Sequence, residues 1–192
     1  MRVIAGRAKG MRLVRAPAGV RPVTDRVREG LFSSLGDLVQ GARVLDLYAG
    51  TGALGIEALS RGAGTAVFVE RSPPALAAIR ENLDRTGLRE AALVVRSDVR
   101  RFLERERPDP DGFVLVFLDP PYATGDTEVR AVLELLDTKP LLDEGFTVVL
   151  SRGSKSSNGV IPIHWSVARR LSYGDSVVTL FRSRNLPRTT EV

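Results

Sequence analysis

The sequence predicts an α/β fold: a doubly wound, mostly parallel, seven-stranded, Rossmann-like sheet with an N-terminal β-hairpin extension. Three observations predict it. Short apolar runs alternate with segments of helical spacing from residue 44 to residue 150, the pattern of strand–helix–strand units laid side by side. A glycine-rich turn, Gly50-Thr51-Gly52-Ala53-Leu54-Gly55, stands between the first such run and the first such helix. The apolar run 113–118 ends in Asp119-Pro120-Pro121-Tyr122, a stiff corner at the C-terminal end of a strand.

Taken in order, residues 1–4 and 11–14 read as two short strands joined by a turn rich in Gly and Lys/Arg. Pro17, Gly19 and Pro22 make a connector. Thr24 or Asp25 caps a helix with Val27, Leu31, Leu35 and Leu38 on one face, and Gly41 closes it. Residues 44–48 form a strand, 54–61 a helix and 65–70 a strand. Ser72 caps the next helix, with Pro73 in its first turn, Leu76, Ile79 and Leu83 on its buried face, and Gly87 at its end. A strand at 91–96, a helix at 99–107 and a turn at 108–112 lead to the strand 113–118. A helix at 127–136 and a strand at 146–150 follow. The polar stretch 151–159 is expected to be a mobile loop. Residues 165–171 and 176–182, linked through Tyr173-Gly174-Asp175, predict a hairpin that adds antiparallel strands to the parallel sheet. The final ten residues are expected to fray. This reading divides the chain into a basic hairpin, 1–23, and a body, 24–192.

Composition narrows the function classes. A chain of 192 residues suits one domain with a sizeable core, and 43% hydrophobic content is ordinary for one. With no cysteine there is no disulfide framework and no thiolate metal site. His164, the one histidine, has no evident partner and is expected to be a surface or half-buried residue, so no metal site is predicted. No apolar run is long enough to span a bilayer. The opening Met1-Arg2-Val3-Ile4-Ala5-Gly6-Arg7 lacks the apolar core of a secretory signal. The expectation is a cytoplasmic, monomeric protein. Trp165 and Phe181 are expected in the core, and the alternating Glu104, Arg105, Glu106 and Arg107 on a solvated helix face.

Charge is uneven. The chain carries a net +5, yet residues 1–28 alone hold eight basic residues against one acid, Asp25, a surplus of seven. The positive charge belongs to the N-terminal segment, and a polyanion, nucleic acid above all, is its natural partner. Arg2, Arg7, Lys9, Arg12, Arg21, Arg26 and Arg28 are the candidate contacts.

The 119–122 corner suggests chemistry on an amine. Its prolines fix φ and donate no N–H, so their carbonyls are held as rigid acceptors. Asp119 adds a carboxylate and Tyr122 a flat face. Together they suit a planar group bearing an NH2, with acceptors on its hydrogens and a ring stacked on its plane. Asp119, Pro120, Pro121 and Tyr122 are therefore the candidate catalytic set.

The glycine turn has the spacing of a dinucleotide fingerprint, and Glu70 lies twenty residues beyond Gly50, at the end of the next strand. Hydride-transfer enzymes share that spacing. Asp46 favours S-adenosylmethionine over a dinucleotide, because an acid beside the turn welcomes a cationic amino-acid moiety and repels a pyrophosphate. Asp98, after the third strand, could accept from an adenine amine, or could cap the helix that follows. The candidate cofactor set is Asp46, Tyr48, Gly50, Gly52, Glu70, Arg71, Asp98 and Val99.

Several stretches resemble the RsmD-type 16S rRNA guanine-N2 methyltransferases. They are the turn from Asp46 to Gly55, the following Glu57-Ala58-Leu59-Ser60-Arg61-Gly62-Ala63, the segment Arg21-Pro22-Val23-Thr24-Asp25-Arg26-Val27-Arg28-Glu29, the 119–122 corner and Tyr173-Gly174-Asp175. The opening Arg2-Val3-Ile4-Ala5-Gly6 adds to the likeness, which covers nearly the whole chain. Val23 stands where the pattern leads one to expect a hydroxyl residue. The resemblance implies a class I methyltransferase fold and methyl transfer from S-adenosylmethionine to a guanine N2 of 16S rRNA, within an assembled or assembling small subunit. It implies cofactor roles for Asp46, Gly50, Gly52, Glu70 and Asp98, and places the target base at 119–122. The residues alone leave other acceptors open: an adenine N6 or cytosine N4 of DNA, a protein glutamine, or no catalysis at all in an RNA-binding assembly module.

Overall fold

The computed structural model describes residues 1–15, 23–105, 111–154, 156 and 161–183. Its centre is a seven-stranded sheet in the order β3-β2-β1-β4-β5-β7-β6. These strands are β1 Arg43–Leu47, β2 Thr65–Glu70, β3 Ala92–Arg96, β4 Phe113–Leu118, β5 Leu142–Gly153, β6 Trp165–Tyr173 and β7 Ser176–Ser183. β1 to β5 pair in parallel. β7 runs antiparallel to both β5 and β6, as the predicted terminal hairpin requires.

Strand alternation builds two cores. Val44, Phe68, Leu115, Phe117 and Val149 point to the face covered by helices α1 Asp25–Leu35, α2 Ala53–Ser60 and α3 Pro73–Thr86. Leu45, Leu47, Val69, Val116, Leu118 and Val148 point to the face covered by α4 Val99–Arg105 and α5 Asp126–Thr138. Continuous apolar strands buried on both faces are what a parallel sheet between two helical layers demands. Trp165 and Phe181 are buried in the second core, with Trp165 tilted 5.2 Å from Phe146 and 6.0 Å from Phe181.

Strand order reverses between β1 and β4. At such a switch point the connecting helices leave to opposite faces, and a crevice opens beyond the strand ends. The glycine turn leaves β1 there, and the 119–122 corner leaves β4 there.

Some boundaries differ from those the sequence predicts. α1 ends at Leu35, where Gly36 takes φ 54°, and a 3₁₀ turn carries the chain to Val39. Residues 151–153 are not loop: they extend β5 and pair with Val178, Val177 and Ser176 of β7. Polar residues make a strand here because β7 supplies the backbone partners. The rest of the predicted loop lies largely outside the described residues, as do most of the 108–112 turn and the end of the chain. His164 is exposed but not unpartnered, since its Nδ1 lies 3.2 Å from Asp137 Oδ2.

Residues 1–15 form a minimal hairpin, a single antiparallel bridge between Arg2 and Arg12. Hydrogen bonds from Val3 N to Met11 O (3.0 Å) and from Leu13 N to Met1 O (3.1 Å) support it. Val3, Ala8 and Leu13 are buried in the first core, so the hairpin shares the hydrophobic interior of the body.

Candidate active site

A cleft of about 1040 Å³ opens over the carboxyl ends of β1, β2, β3 and β4. Asp46, Tyr48, Gly50, Glu70, Arg71, Asp98, Val99 and the whole 119–122 corner line it. Two sets of residues that the sequence assigned to different tasks thus share one cavity.

The turn is held by carboxylates. Asp46 Oδ2 accepts from Gly55 N at 2.9 Å, tying the end of β1 to the first turn of α2. Glu70 Oε2 accepts from Gly50 N at 2.9 Å, while its Oε1 accepts from the N–H groups of Arg71 and Ser72, both at 2.8 Å. Gly50 (φ 58°) and Gly52 (φ 76°) sit in the left-handed region that the turn requires. Gly52 lies behind the cleft wall rather than on it: a Cβ there would meet Phe68 Cε1 at 3.2 Å. Its contribution is to shape the turn. Asp98 Oδ1 accepts from Arg100 N at 3.1 Å, capping α4, and its Oδ2 lies 3.5 Å from Arg71 Nη1. Of the two possibilities raised for Asp98, the capping one is seen, through Oδ1, while Oδ2 faces an exposed arginine.

The electrostatics of this half call for a cation. Asp46 is 1% exposed. Burial pushes its carboxyl well above the ordinary range, against the Gly55 N–H bond that favours its charge; the negative charges of Asp119 and Glu70 add to the rise. Tyr48 adopts φ 58°, rare for a residue with a side chain. Burial, helped by Glu128 and Asp98, pushes its phenol up to about 12. Five acids, Asp46, Glu70, Asp98, Asp119 and Glu128, line one cleft, which fits the expected S-adenosylmethionine, whose ammonium and sulfonium would offset their mutual repulsion and whose hydroxyls can donate to carboxylates.

The other half is the corner. Pro120 is buried, while Tyr122 is 49% exposed. The Pro121 carbonyl accepts from Thr124 N at 2.8 Å and closes a tight turn. Three residues that sequence reasoning missed hold this loop. Arg152, at the end of β5, donates to Thr124 O at 3.0 Å and pairs with Asp126 Oδ1 at 2.7 Å. The Ser176 hydroxyl lies 2.8 Å from the Tyr122 hydroxyl. Gly153 lets the Tyr122 ring lie close: a Cβ there would stand 3.3 Å from ring carbons. No motif announces these residues, because they meet the corner only through the pairing of β5 with β7.

The candidate RNA contacts divide. Arg2, Arg7, Lys9, Arg12 and Arg26 are exposed, and Arg26 also lines the cleft beside Val23 and Thr24. Arg21 lies outside the described residues. Arg28 is a correction: it is fully buried and serves the fold. Its guanidinium meets Asp25 Oδ1 at 2.7 Å and Glu57 Oε2 at 3.3 Å, and donates to the Arg2 carbonyl. The signal was its place on the helix, three residues before Leu31 on the buried face.

The family described as Conserved hypothetical protein 95 matches residues 1–182. Ribosomal RNA small subunit methyltransferase D of Escherichia coli (strain K12) is 36% identical over 185 residues, 95% of this chain and 89% of its own length. The chain belongs to the RsmD methyltransferase family. The solved yhhF protein of Escherichia coli superposes with a TM-score of 0.84 at 32% identity, covering 95% of this chain and 97% of that one. An RNA methyltransferase from Salinibacter ruber, solved with S-adenosyl-L-homocysteine, shares the fold alone, with a TM-score of 0.62 at 17% identity, covering 90% of this chain and 100% of that one. The class I methyltransferase architecture expected from the sequence is the one found.

Proposed function

We propose that this protein methylates the exocyclic N2 of a guanine in small-subunit ribosomal RNA, with S-adenosylmethionine as donor. The observation that carries the reading is the shared cleft: the Asp119–Tyr122 corner and the acid-lined glycine turn line one cavity at the switch point between β1 and β4. The Escherichia coli relative's name supports the ribosomal substrate.

When bound, the cofactor supplies a methyl group already activated on a sulfonium. What remains for the protein is to aim the acceptor. Asp46, Glu70 and Asp98 are the residues that would hold the donor's cationic and hydroxyl groups, and Tyr48, Gly50, Arg71 and Val99 line the same cleft. Guanine N2 is a weak nucleophile because its lone pair is delocalised into the ring. The Asp119 carboxylate and the Pro120 carbonyl accept from its two N–H bonds and draw the nitrogen toward tetrahedral geometry. Tyr122, steadied by Ser176 and lying against Gly153, stacks on the purine. Such positioning can be worth about 7–11 kcal/mol of barrier in favourable cases. Asp119 stabilises the positive charge that builds on N2, and the leaving proton passes to it or to water. A base gripped in this way has left its stack, so the substrate nucleotide is flipped or single-stranded.

Arg2, Arg7, Lys9, Arg12 and Arg26 contact phosphates, consistent with RNA inside an assembled or assembling subunit. The test is methyl transfer from labelled S-adenosylmethionine to small subunits, naked 16S rRNA, DNA and a glutamine-bearing release factor, with the modified product identified by mass. N2-methylguanosine from a ribosomal substrate is expected. Methyladenine, methylcytosine or methylglutamine as the main product overturns the assignment.

A further inference from the structure

Asn82 stands in the middle of α3 with no exposed surface. Its Nδ2 donates to Thr51 O at 2.9 Å, and its Oδ1 accepts from Val14 N at 2.8 Å. Thr51 is the central residue of the glycine turn, lines the cleft and is 4% exposed. Val14 follows the second limb of the N-terminal hairpin. A carbonyl can only accept and an N–H can only donate, so the two partners fix which way the carboxamide points. One side chain therefore joins the cofactor turn to the basic hairpin, and neither end is interchangeable. Glu57 makes a second, parallel connection. It lies on the helix that the turn opens, and accepts from Ile4 N at 2.8 Å and Ala5 N at 3.0 Å.

We propose that Asn82 is a positioning residue that couples occupation of the cofactor turn to docking of the N-terminal hairpin. A ligand that fixes the turn fixes Thr51 O, and with it the carboxamide that holds Val14. By thermodynamic reciprocity a seated hairpin favours the ligand-ready turn. The inference rests on the cofactor assignment for the turn and not on which base is methylated. It gives the hairpin a task inside the body besides the charge it presents outside.

Two measurements test it. The first is amide hydrogen exchange of the unmodified protein with and without saturating S-adenosylhomocysteine. Ligand should slow exchange at Val14 several-fold more than at Arg7, whose N–H bonds Ser60 O at the far end of α2 (2.8 Å). Equal slowing at the two amides overturns the coupling. The second is Asn82→Asp, which keeps an acceptor for Val14 and loses the donor for Thr51. It should weaken S-adenosylhomocysteine by about tenfold, measured by calorimetry well below its melting temperature, and abolish the extra protection at Val14. A variant that melts earlier but binds within about twofold of the unmodified protein assigns Asn82 a purely structural role and overturns the proposal.

Discussion

Arg28 and Glu57 face each other with no exposed side-chain surface on either, Nη1 to Oε2 at 3.3 Å. Each also bonds to other groups. Glu57 accepts from Ile4 N, Ala5 N and Arg61 Nε, while Arg28 reaches Asp25 and the Arg2 carbonyl through Nη2 and leaves its buried Nε without a partner. The hairpin, α1 and α2 thus converge on one buried carboxylate.

Removing one partner leaves the other charge buried. Arg28→Ala is expected to cost about 3–5 kcal/mol in stability, measured by urea unfolding. An apolar double replacement, Arg28→Met with Glu57→Leu, should recover much of that loss. An Arg28→Ala protein of unaltered stability that binds RNA poorly would return Arg28 to the surface role that its charge suggested.

Asp46 should trade stability for ligand. Burial raises its folded pKa, so the fold favours its protonated form. The unmodified protein therefore loses stability as pH rises from the ordinary carboxyl value of 3.8 through the raised one. Asp46→Asn keeps an acceptor for Gly55 N and removes the charge. Its melting temperature should exceed that of the unmodified protein above this interval and match it below. S-adenosylhomocysteine affinity at neutral pH should fall by about tenfold.

Asp119→Ala should reduce turnover by about a hundredfold or more while cofactor affinity stays within about threefold. Tritium transfer and calorimetry separate the two. Equal methylation by the variant removes Asp119 from the chemistry.

Arg152→Gln should loosen the 122–126 loop, since one guanidinium holds both Thr124 O and Asp126 Oδ1. A fall of about tenfold in kcat/KM for RNA is expected with cofactor binding unchanged. Ser176→Ala should show a smaller loss of the same kind.

Replacing Arg7, Lys9 and Arg12 by Gln should flatten the salt dependence of RNA binding, by about 0.7–0.9 in log–log slope for each phosphate that the hairpin no longer neutralises. An unchanged slope clears the hairpin of that duty.

The interior of the sheet was legible because strands buried on both faces announce themselves. β2 and β4 fall at the bounds their apolar runs predict. β5 did not, since its ends are strand only by virtue of neighbours: Leu142 pairs with Phe113 across a register shift, and residues 151–153 pair with β7. The cleft residues were legible because glycine spacing, strand-end acids and a proline corner are each local signals. Asn82 and Arg152 were not, because their partners lie 31 and 28 residues away in the chain. A polar residue three positions from Ile79 on an apolar helix face was the one hint of Asn82. Charge alone misled at Arg28, where burial decides the role.

Gly6 sits where any side chain would strike the backbone of Ser60, its Cβ only 1.7 Å from the carbonyl oxygen, so the cationic tip is pinned at the opposite end of α2 from the glycine turn. Eight helical residues separate the two, about 12 Å at 1.5 Å per residue. Helix α2 is in this sense a spacer between the hairpin tip and the turn. On the proposed reading the tip takes backbone phosphate and the turn takes the methyl donor, so the length of α2 spaces the RNA backbone from the donor.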